Sequence, residues 1–483
     1  MSISNIIKKL QNIMRQDAGV DGDAQRIAQI VWLLFLKIYD AKEELWEFYE
    51  DDYKSIIPEE LRWRNWAIDN KDGKAITGDE LTDFINNNLM KTLKNLTVDE
   101  NTEKRSAIVK YVFEDASNYM KNGILLRQVI NELNSFDFTD SNEKHSFNEI
   151  YETILKDLQS AGNAGEFYTP RPITDFIIEM TNPQLGESVA DFACGTGGFL
   201  TSTLKHLEKQ ISTVEDREEY KEAIYGVEKK PLPYLLCITN MLLHDVDEPK
   251  IIHGNSLEKN VRDYREEDKF NVIVMNPPYG GSEENAIKIN FPTELQTSET
   301  ADLFVALILY RLRRDGRVGI VLPDGFLFGN DNAKVNIKKK LLSECNLHTI
   351  VRLPSGIFAP YTPLSVNLLF FDKTGQTEKI DYYAVPLPEG YKSFSKTKPF
   401  ENRHIAPVKE WWNNRNKEDI NAYSVSVAEV EKNNYNLDIK NPNIQTEEDV
   451  HSLSELMDML TEKSNNMQTL VTELKKALEG VED

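Results

Sequence analysis

The stretch Phe270-Asn271-Val272-Ile273-Val274-Met275-Asn276-Pro277-Pro278-Tyr279-Gly280 decides the fold. Its first six residues are mostly apolar and rich in β-branched side chains, the pattern of a strand covered on both faces of a sheet. The strand must stop at Pro277 and Pro278, because neither has an N–H for the ladder and each holds the chain extended. So stiff a corner can present the Asn276 side chain and the Pro277 carbonyl as two fixed acceptors, with the Tyr279 ring beside them. Two acceptors and a ring suit an amino group on a flat heterocycle. A proline turn with no chemical duty is the alternative, and the flanking sequence decides between them.

Outward from this strand, short apolar runs recur at 188–193, 223–227, 250–253, 317–322, 348–353 and 366–371, and helical stretches at 199–210, 231–244 and 302–314 separate the early ones. That alternation predicts an α/β chain with a parallel, doubly wound sheet. Ligands of such sheets bind beyond the carboxyl ends of the strands. After the first strand stands Asp191-Phe192-Ala193-Cys194-Gly195-Thr196-Gly197-Gly198-Phe199, whose glycines allow a tight turn and close approach of a ligand before a helix begins. It matches neither phosphate-loop nor dinucleotide spacing in full, so a triphosphate or dinucleotide is not favoured. Cys194 has no neighbouring base and reads as a small filler. After the second strand comes Glu228, able to accept both hydroxyls of a ribose, and after the third come Asn255, Ser256 and Leu257, an amide for an adenine edge and an apolar side chain for its ring. Four successive strand ends thus carry nucleoside-binding groups.

A chain of 483 residues with 40% hydrophobic content can bury two or three structural units. Residues 1–148 read as a helical N-terminal domain, with helical periods at 24–49, 80–96 and 104–133; Ile27, Ile30, Val31, Leu34, Ile38, Leu45 and Phe48 form the stripe of the first. Residues 149–445 carry the sheet, with 386–408 reading as a loop-like connector. Residues 446–483 read as an amphipathic helix with a capping box at 446–449 and a stripe including Val450, Leu453, Met457, Leu460, Met467 and Leu470. That stripe suits either a partner or the chain's own core. The formal charge of −23 opposes unaided binding of a polyanion. Either the substrate is not nucleic acid, or a more basic partner holds it. Three widely spaced cysteines and seven histidines without ligand spacing predict no metal and a reduced compartment. The apolar run 30–36 is too short for a membrane span and the N-terminus lacks a signal-peptide core, so a cytoplasmic location and no membrane contact are expected.

These residues resemble the S-adenosylmethionine-dependent amino-methyltransferases. With Gly165-Glu166-Phe167-Tyr168-Thr169-Pro170-Arg171-Pro172 upstream, and with Leu353-Pro354-Ser355-Gly356-Ile357-Phe358 and Tyr435-Asn436-Leu437-Asp438-Ile439-Lys440-Asn441-Pro442 downstream, the chain resembles the methylation (M) subunit of a type I restriction-modification system. The resemblance covers most of the chain. It implies a Rossmann-like methyltransferase sheet, S-adenosylmethionine as cofactor, and transfer of its methyl to N6 of adenine in duplex DNA. Glu166, Phe167, Tyr168, Thr169, Pro170 and Arg171 would close over the methionine part of the cofactor. Asp191, Gly195, Thr196, Gly197, Gly198 and Phe199 would lie along it, Glu228 would take the ribose, and Asn255 with Ser256 would sit near its adenine. Many relatives carry Asp where this chain has Asn255. Asn276, Pro277, Pro278 and Tyr279 would form the catalytic turn. Implied partners are a DNA specificity (S) subunit that holds the duplex, a restriction (R) subunit, and a second M chain on each S subunit. Methylation of a glutamine amide or an RNA base, and a non-catalytic scaffold, are the rival readings; cytosine N4 presents the same amine. The mechanism requires Asn276 and Gly195 to share one crevice.

Overall fold

In the computed structural model, strands β1 (Val189–Asp191), β2 (Ile224–Glu228), β3 (Lys250–His253), β4 (Phe270–Met275), β5 (Leu312–Pro323), β6 (Asn346–Arg352), β7 (Val366–Asp372), β8 (Lys379–Ala384) and β9 (Ala422–Ser426) form one sheet in the order β3-β2-β1-β4-β5-β7-β6-β8-β9. The structure describes residues 3–69, 75–135, 168–359, 362, 364–415 and 418–444, and beyond these 457, 460, 461, 463, 464, 467 and 468.

The β4 strand is covered on both faces, and its pleat shows it. Val272 and Val274 join the core beneath the helix Arg171–Thr181, while Ile273 and Met275 join the core beneath the helices Thr300–Arg311 and Asn332–Glu344. On β5, Val321 faces the first of these cores and Ile320 and Leu322 the second. β3, β2, β1, β4 and β5 are parallel, joined by helical crossovers as the alternation predicts. The sheet is not wholly parallel, however: β7 runs antiparallel to both β5 and β6. No helix lies among the described residues between β6 and β7, and without a crossover the chain returns in the opposite sense. β8 is again parallel to β6, and β9 antiparallel to β8.

β8 and β9 answer no apolar run expected from sequence, because Lys379, Asp381, Ser424 and Ser426 alternate with their buried residues. The expected connector at 386–408 is helical from Asn402: the helix Asn402–Asn413 buries Ile405, Val408 and Trp411 despite Pro407 in its interior. The helical period at 104–133 is two helices, Lys104–Glu114 and Gly123–Asn134; Asn122 Oδ1 accepts from the N–H groups of Ile124 and Leu125 at 3.0 and 3.1 Å and starts the second.

The helix Asp23–Tyr49 is buried nearly all round over its middle, but Leu45 and Phe48, expected on its apolar stripe, are exposed. It shares one hydrophobic core with the helix Pro231–Leu243 behind the sheet. Lys42 Nζ meets Asp245 Oδ1 at 2.7 Å and Asp247 Oδ1 at 3.0 Å, and Trp46 Nε1 donates to Asp247 Oδ2 at 3.2 Å. Met1–Lys440 accordingly form one compact unit and Asn441–Asp483 a second. In the second, the described residues Met457, Leu460 and Met467 are helical and exposed, and Thr461 Oγ1 donates to the Met457 carbonyl at 2.7 Å. The expected capping box at 446–449 and most of its helix lie outside the described residues.

Candidate active site

The carboxyl ends of β1, β2, β3 and β4 open into one crevice, lined among others by Thr169, Asp191, Gly195, Glu228, Asn255, Asn276 and Pro278. Asn276 and Gly195 therefore face a common space.

The loop after β1 is shaped by its glycines. Gly195 and Gly197 take φ of +54° and +81°, the left-handed region that glycine alone occupies without strain. At Gly197 a Cβ would lie 2.9 Å from Cys237 Sγ, so the loop sits directly on the helix Pro231–Leu243. Gly198 then opens the helix Gly198–Glu208. Gly195, Gly198 and Phe199 line the crevice, as do Phe192, Ala193 and Cys194, whereas Thr196 and Gly197 are turned away into the packing.

Glu228 locks this loop to β2. Its Oε2 accepts from Gly195 N–H at 2.9 Å and its Oε1 from Lys230 N–H at 2.7 Å. Burial raises its pKa, and those N–H groups oppose the rise. Asp191 is wholly buried; burial pushes its carboxyl up to about 8, the nearby Glu228 charge adds to this, and Ala193 N–H, donating to Oδ1 at 3.1 Å, works against it. Two buried acids thus line a crevice whose walls also include Phe199 and Phe304. A cation in the crevice would relieve the cost of ionising them.

Asn255 Oδ1 accepts from Leu257 N–H at 3.1 Å, which leaves its Nδ2 as the presenting group, a donor rather than an acceptor for an adenine edge. Ser256 Oγ donates to the Phe192 carbonyl at 2.6 Å and so ties the loop after β3 to the loop after β1. Leu257 is 1% exposed and packs in the core, not on the crevice wall.

Of the upstream segment, Thr169 lines the crevice and Pro170 caps the helix Arg171–Thr181. Arg171 points elsewhere: Nη1 donates to the Gly198 carbonyl at 2.8 Å and to Thr201 Oγ1 at 2.6 Å, pinning two helices together. Tyr168 is buried in the core shared with the helical front. Glu166 and Phe167 lie outside the described residues.

At the turn after β4, Asn276 Nδ2 donates to Thr169 Oγ1 at 3.1 Å, and Oδ1 accepts from the Tyr279 hydroxyl. Pro277 is buried, Pro278 is exposed on the crevice rim, and the Tyr279 ring is half-buried against the two cores flanking the sheet. The expected pairing of a free Asn276 acceptor with an open Tyr279 platform is thus replaced by a contact between the two. Glu283, Thr300 and Phe304, also on the wall, were not legible from sequence; Thr300 Oγ1 donates to Glu283 Oε1 at 3.0 Å, and the one hint was the four-residue spacing of Thr300 and Phe304 on one helix face.

Known proteins resemble this chain in both sequence and fold. Residues 142–451 match the family model of the N-6 DNA methylases, and residues 3–133 that of the HsdM N-terminal domain. The chain is 52% identical over 465 residues to the type I restriction enzyme EcoEI methylase subunit of Escherichia coli, covering 95% of this chain and 94% of that one. It is 28% identical over 430 residues to the StySJI methylase subunit of Salmonella typhimurium, covering 84% of this chain and 76% of the relative. A solved chain from work on complex assembly and conformational transition of the type I restriction-modification system superposes with a TM-score of 0.83 at 36% identity, covering 99% of this chain and 98% of that one.

Proposed function

Because the chain belongs to the methylase subunits of type I restriction-modification systems, and is as such an adenine-specific N6 DNA methyltransferase that works in an assembly, we propose that S-adenosylmethionine occupies the crevice and that Asn276 holds the target amine against it. The observation that carries this is the shared crevice of Gly195 and Asn276.

The crevice fits the cofactor chemically. Its two buried acids suit a ligand carrying ammonium and sulfonium charges, its Phe199 and Phe304 walls suit the apolar parts, and Gly195 offers backbone where a side chain would obstruct. When bound, S-adenosylmethionine supplies an electrophilic methyl group. Glu228 accepts the ribose hydroxyls on lone pairs not used by Gly195 and Lys230. Asn255 Nδ2 donates to a ring nitrogen of the adenine, and Ser256 holds that loop in place. Asp191 balances positive charge, Thr169 covers the methionine end, and the segment from Glu166 to Arg171 closes over it. Tyr168, Pro170 and Arg171 set the path of that segment, as Thr196 and Gly197 set the path of the glycine loop.

The adenine amine is a weak nucleophile because its lone pair is delocalised into the ring. Asn276 Oδ1 and the Pro277 carbonyl each accept one of its N–H bonds and draw the nitrogen toward a tetrahedral shape, with its lone pair facing the methyl. The bound cofactor would supply the methyl, its carbon–sulfur bond breaking as the carbon–nitrogen bond forms, and the methylated ammonium would give its proton to water. Asn276 cannot take that proton and acts as a positioning dipole. The base must first leave the duplex at a cost of a few kcal/mol. Its amine displaces the Tyr279 hydroxyl from Asn276 Oδ1, and the released Tyr279 ring stacks on the base, offsetting about 1–3 kcal/mol. Pro278 keeps the corner stiff.

The charge of −23 supports delegation of DNA reading to an S subunit; two M chains per S subunit and an R subunit for cleavage follow from the family resemblance. We place the S-subunit contact on residues 446–483, the catalysis on 149–445 and the packing on 1–148. Three buried free cysteines, and among the described residues no helix long and apolar enough to cross a membrane, support a cytoplasmic site of action. The deciding experiment assembles Asn276→Ala with the specificity subunit. Cofactor binding by calorimetry should persist while methyl transfer falls by about 10²–10³-fold, the scale for loss of one preorganised group. Full transfer would refute the assignment.

A further inference from the structure

On the side where the crevice opens, the acidic chain carries a compact basic turn, in addition to Lys229 and Lys230 on the crevice wall. β4, β5, β6 and β8 all run in the same sense, so the segment that follows β8 leaves the sheet at the edge where Asn276 stands. That segment contains Tyr391-Lys392-Ser393-Phe394-Ser395-Lys396-Thr397-Lys398, with Lys392, Lys396 and Lys398 exposed.

Its backbone is fixed. Ser395 N–H donates to the Lys398 carbonyl at 3.0 Å and Lys398 N–H returns a bond to the Ser395 carbonyl at 3.1 Å, closing a turn with Lys396 and Thr397 at its tip. Beneath it Phe394 N–H donates to the Ser355 carbonyl at 3.1 Å, in the loop after β6. Gly356, at φ +84°, lies so close that a Cβ would fall 2.2 Å from the Phe394 carbonyl oxygen. Phe394 and Phe400 pack edge to face at 5.1 Å and belong to the core that also receives Phe199 and the Tyr279 ring. The turn is therefore mounted on the same apolar body as the catalytic corner.

Its charges are uncompensated. Arg403 pairs with Glu401 and Lys409 with Glu179, but among the described residues Lys392, Lys396 and Lys398 join no ion pair. Lys398 Nζ sits 4.5 Å from the Tyr391 ring centroid, which positions it without neutralising it. In a chain of net charge −23, three such lysines on one turn suit a polyanion.

We infer that Lys392, Lys396 and Lys398 form a phosphate-contact surface of this chain, which grips the backbone of the substrate duplex beside the base delivered to Asn276. The inference rests on the crevice being where the target base is methylated. A preorganised turn gains affinity by avoiding ordering costs, and phosphate contacts set register rather than sequence.

The test uses the complex assembled with its specificity subunit, carrying Lys392→Gln, Lys396→Gln and Lys398→Gln, with fluorescence anisotropy of a duplex as readout. Binding is measured without turnover, so the result does not depend on the roles given to Asn276 and its neighbours. A second variant, Lys54→Gln with Lys94→Gln and Lys104→Gln, makes the same change in net charge on the helical front. The turn variant should lower the slope of log affinity against log salt by about 2–3, with cofactor affinity and assembly unchanged, while the front variant leaves the slope alone. An unchanged slope, an equal drop in both variants, or loss of assembly at constant slope, which would make the turn a protein contact, overturns the proposal.

Discussion

Asn276 Nδ2 donates to Thr169 Oγ1 at 3.1 Å across 107 residues of sequence, and this bond fixes which way the amide is turned, the property on which the proposed capture of the base depends. With the nitrogen tied to Thr169, Oδ1 is left as the accepting end, and the Tyr279 hydroxyl holds it. Thr169→Val removes the acceptor and lets the amide turn. We expect transfer to fall roughly 5- to 10-fold, the worth of one hydrogen bond, with KM for DNA unchanged. Thr169→Ser, which keeps the hydroxyl, should restore the rate; equal losses in both variants would mean that Thr169 acts by bulk alone.

The Tyr279 hydroxyl donates to Asn276 Oδ1, the acceptor on which the proposed capture of the amine relies. Tyr279→Phe keeps the ring and frees Asn276 Oδ1, so base capture should be as good as in the parent or better. Tyr279→Ala loses the stacking surface and should weaken capture by about 1–3 kcal/mol. Fluorescence of a duplex with 2-aminopurine at the target position reads both, and a phenylalanine variant as impaired as the alanine one would contradict this order.

Asp191 makes stability depend on pH in a definite direction. Its folded pKa, about 8, lies above the ordinary carboxyl value of 3.8, so between these limits the native state binds more protons than the unfolded one. Stability from this group is greatest at low pH and is lost as pH rises toward 8. Urea midpoints between pH 5 and 8 should show a decline that Asp191→Asn flattens. Bound S-adenosylmethionine should also reduce it, since a cation beside the carboxylate favours the charged form.

Gly197→Ala places a Cβ at φ +81°, 2.9 Å from Cys237 Sγ and 3.1 Å from Met241 Cε. Backbone strain and crowding together should cost about 1–3 kcal/mol. Denaturant unfolding should register the loss, and cofactor affinity should drop because the loop is displaced. A variant of parental stability would show that the loop has more room than its glycine implies.

The parts legible in the sequence were those in which chemistry and period coincide. The apolar run before Asn276, the glycine loop and the acid at the end of β2 each announced a strand end, and the crevice collects them. What escaped depended on pairing at a distance. β8 and β9 carry charge or hydroxyl groups at alternate positions and bury only part of their faces, so neither reads as an apolar run. Pro407 hid the helix Asn402–Asn413, whose burial of Ile405, Val408 and Trp411 outweighs one missing hydrogen bond. Phe48 follows the helical period yet stands exposed, because a period describes a helix face and not what covers it. The link between Thr169 and Asn276 has no signature in either segment; the fold alone brings them together.

The salt links from Lys42 and the indole bond from Trp46 fasten the front helix to the turn that follows the helix Pro231–Leu243. Leu235, Leu236 and Ile238 are sealed by side chains from that front helix's core, so neither part can melt and leave its neighbour intact. Calorimetry of the full chain should give a single endotherm for these two parts. A fragment cut at 148 would meet water with its greasiest flank and precipitate, whatever the integrity of its crevice.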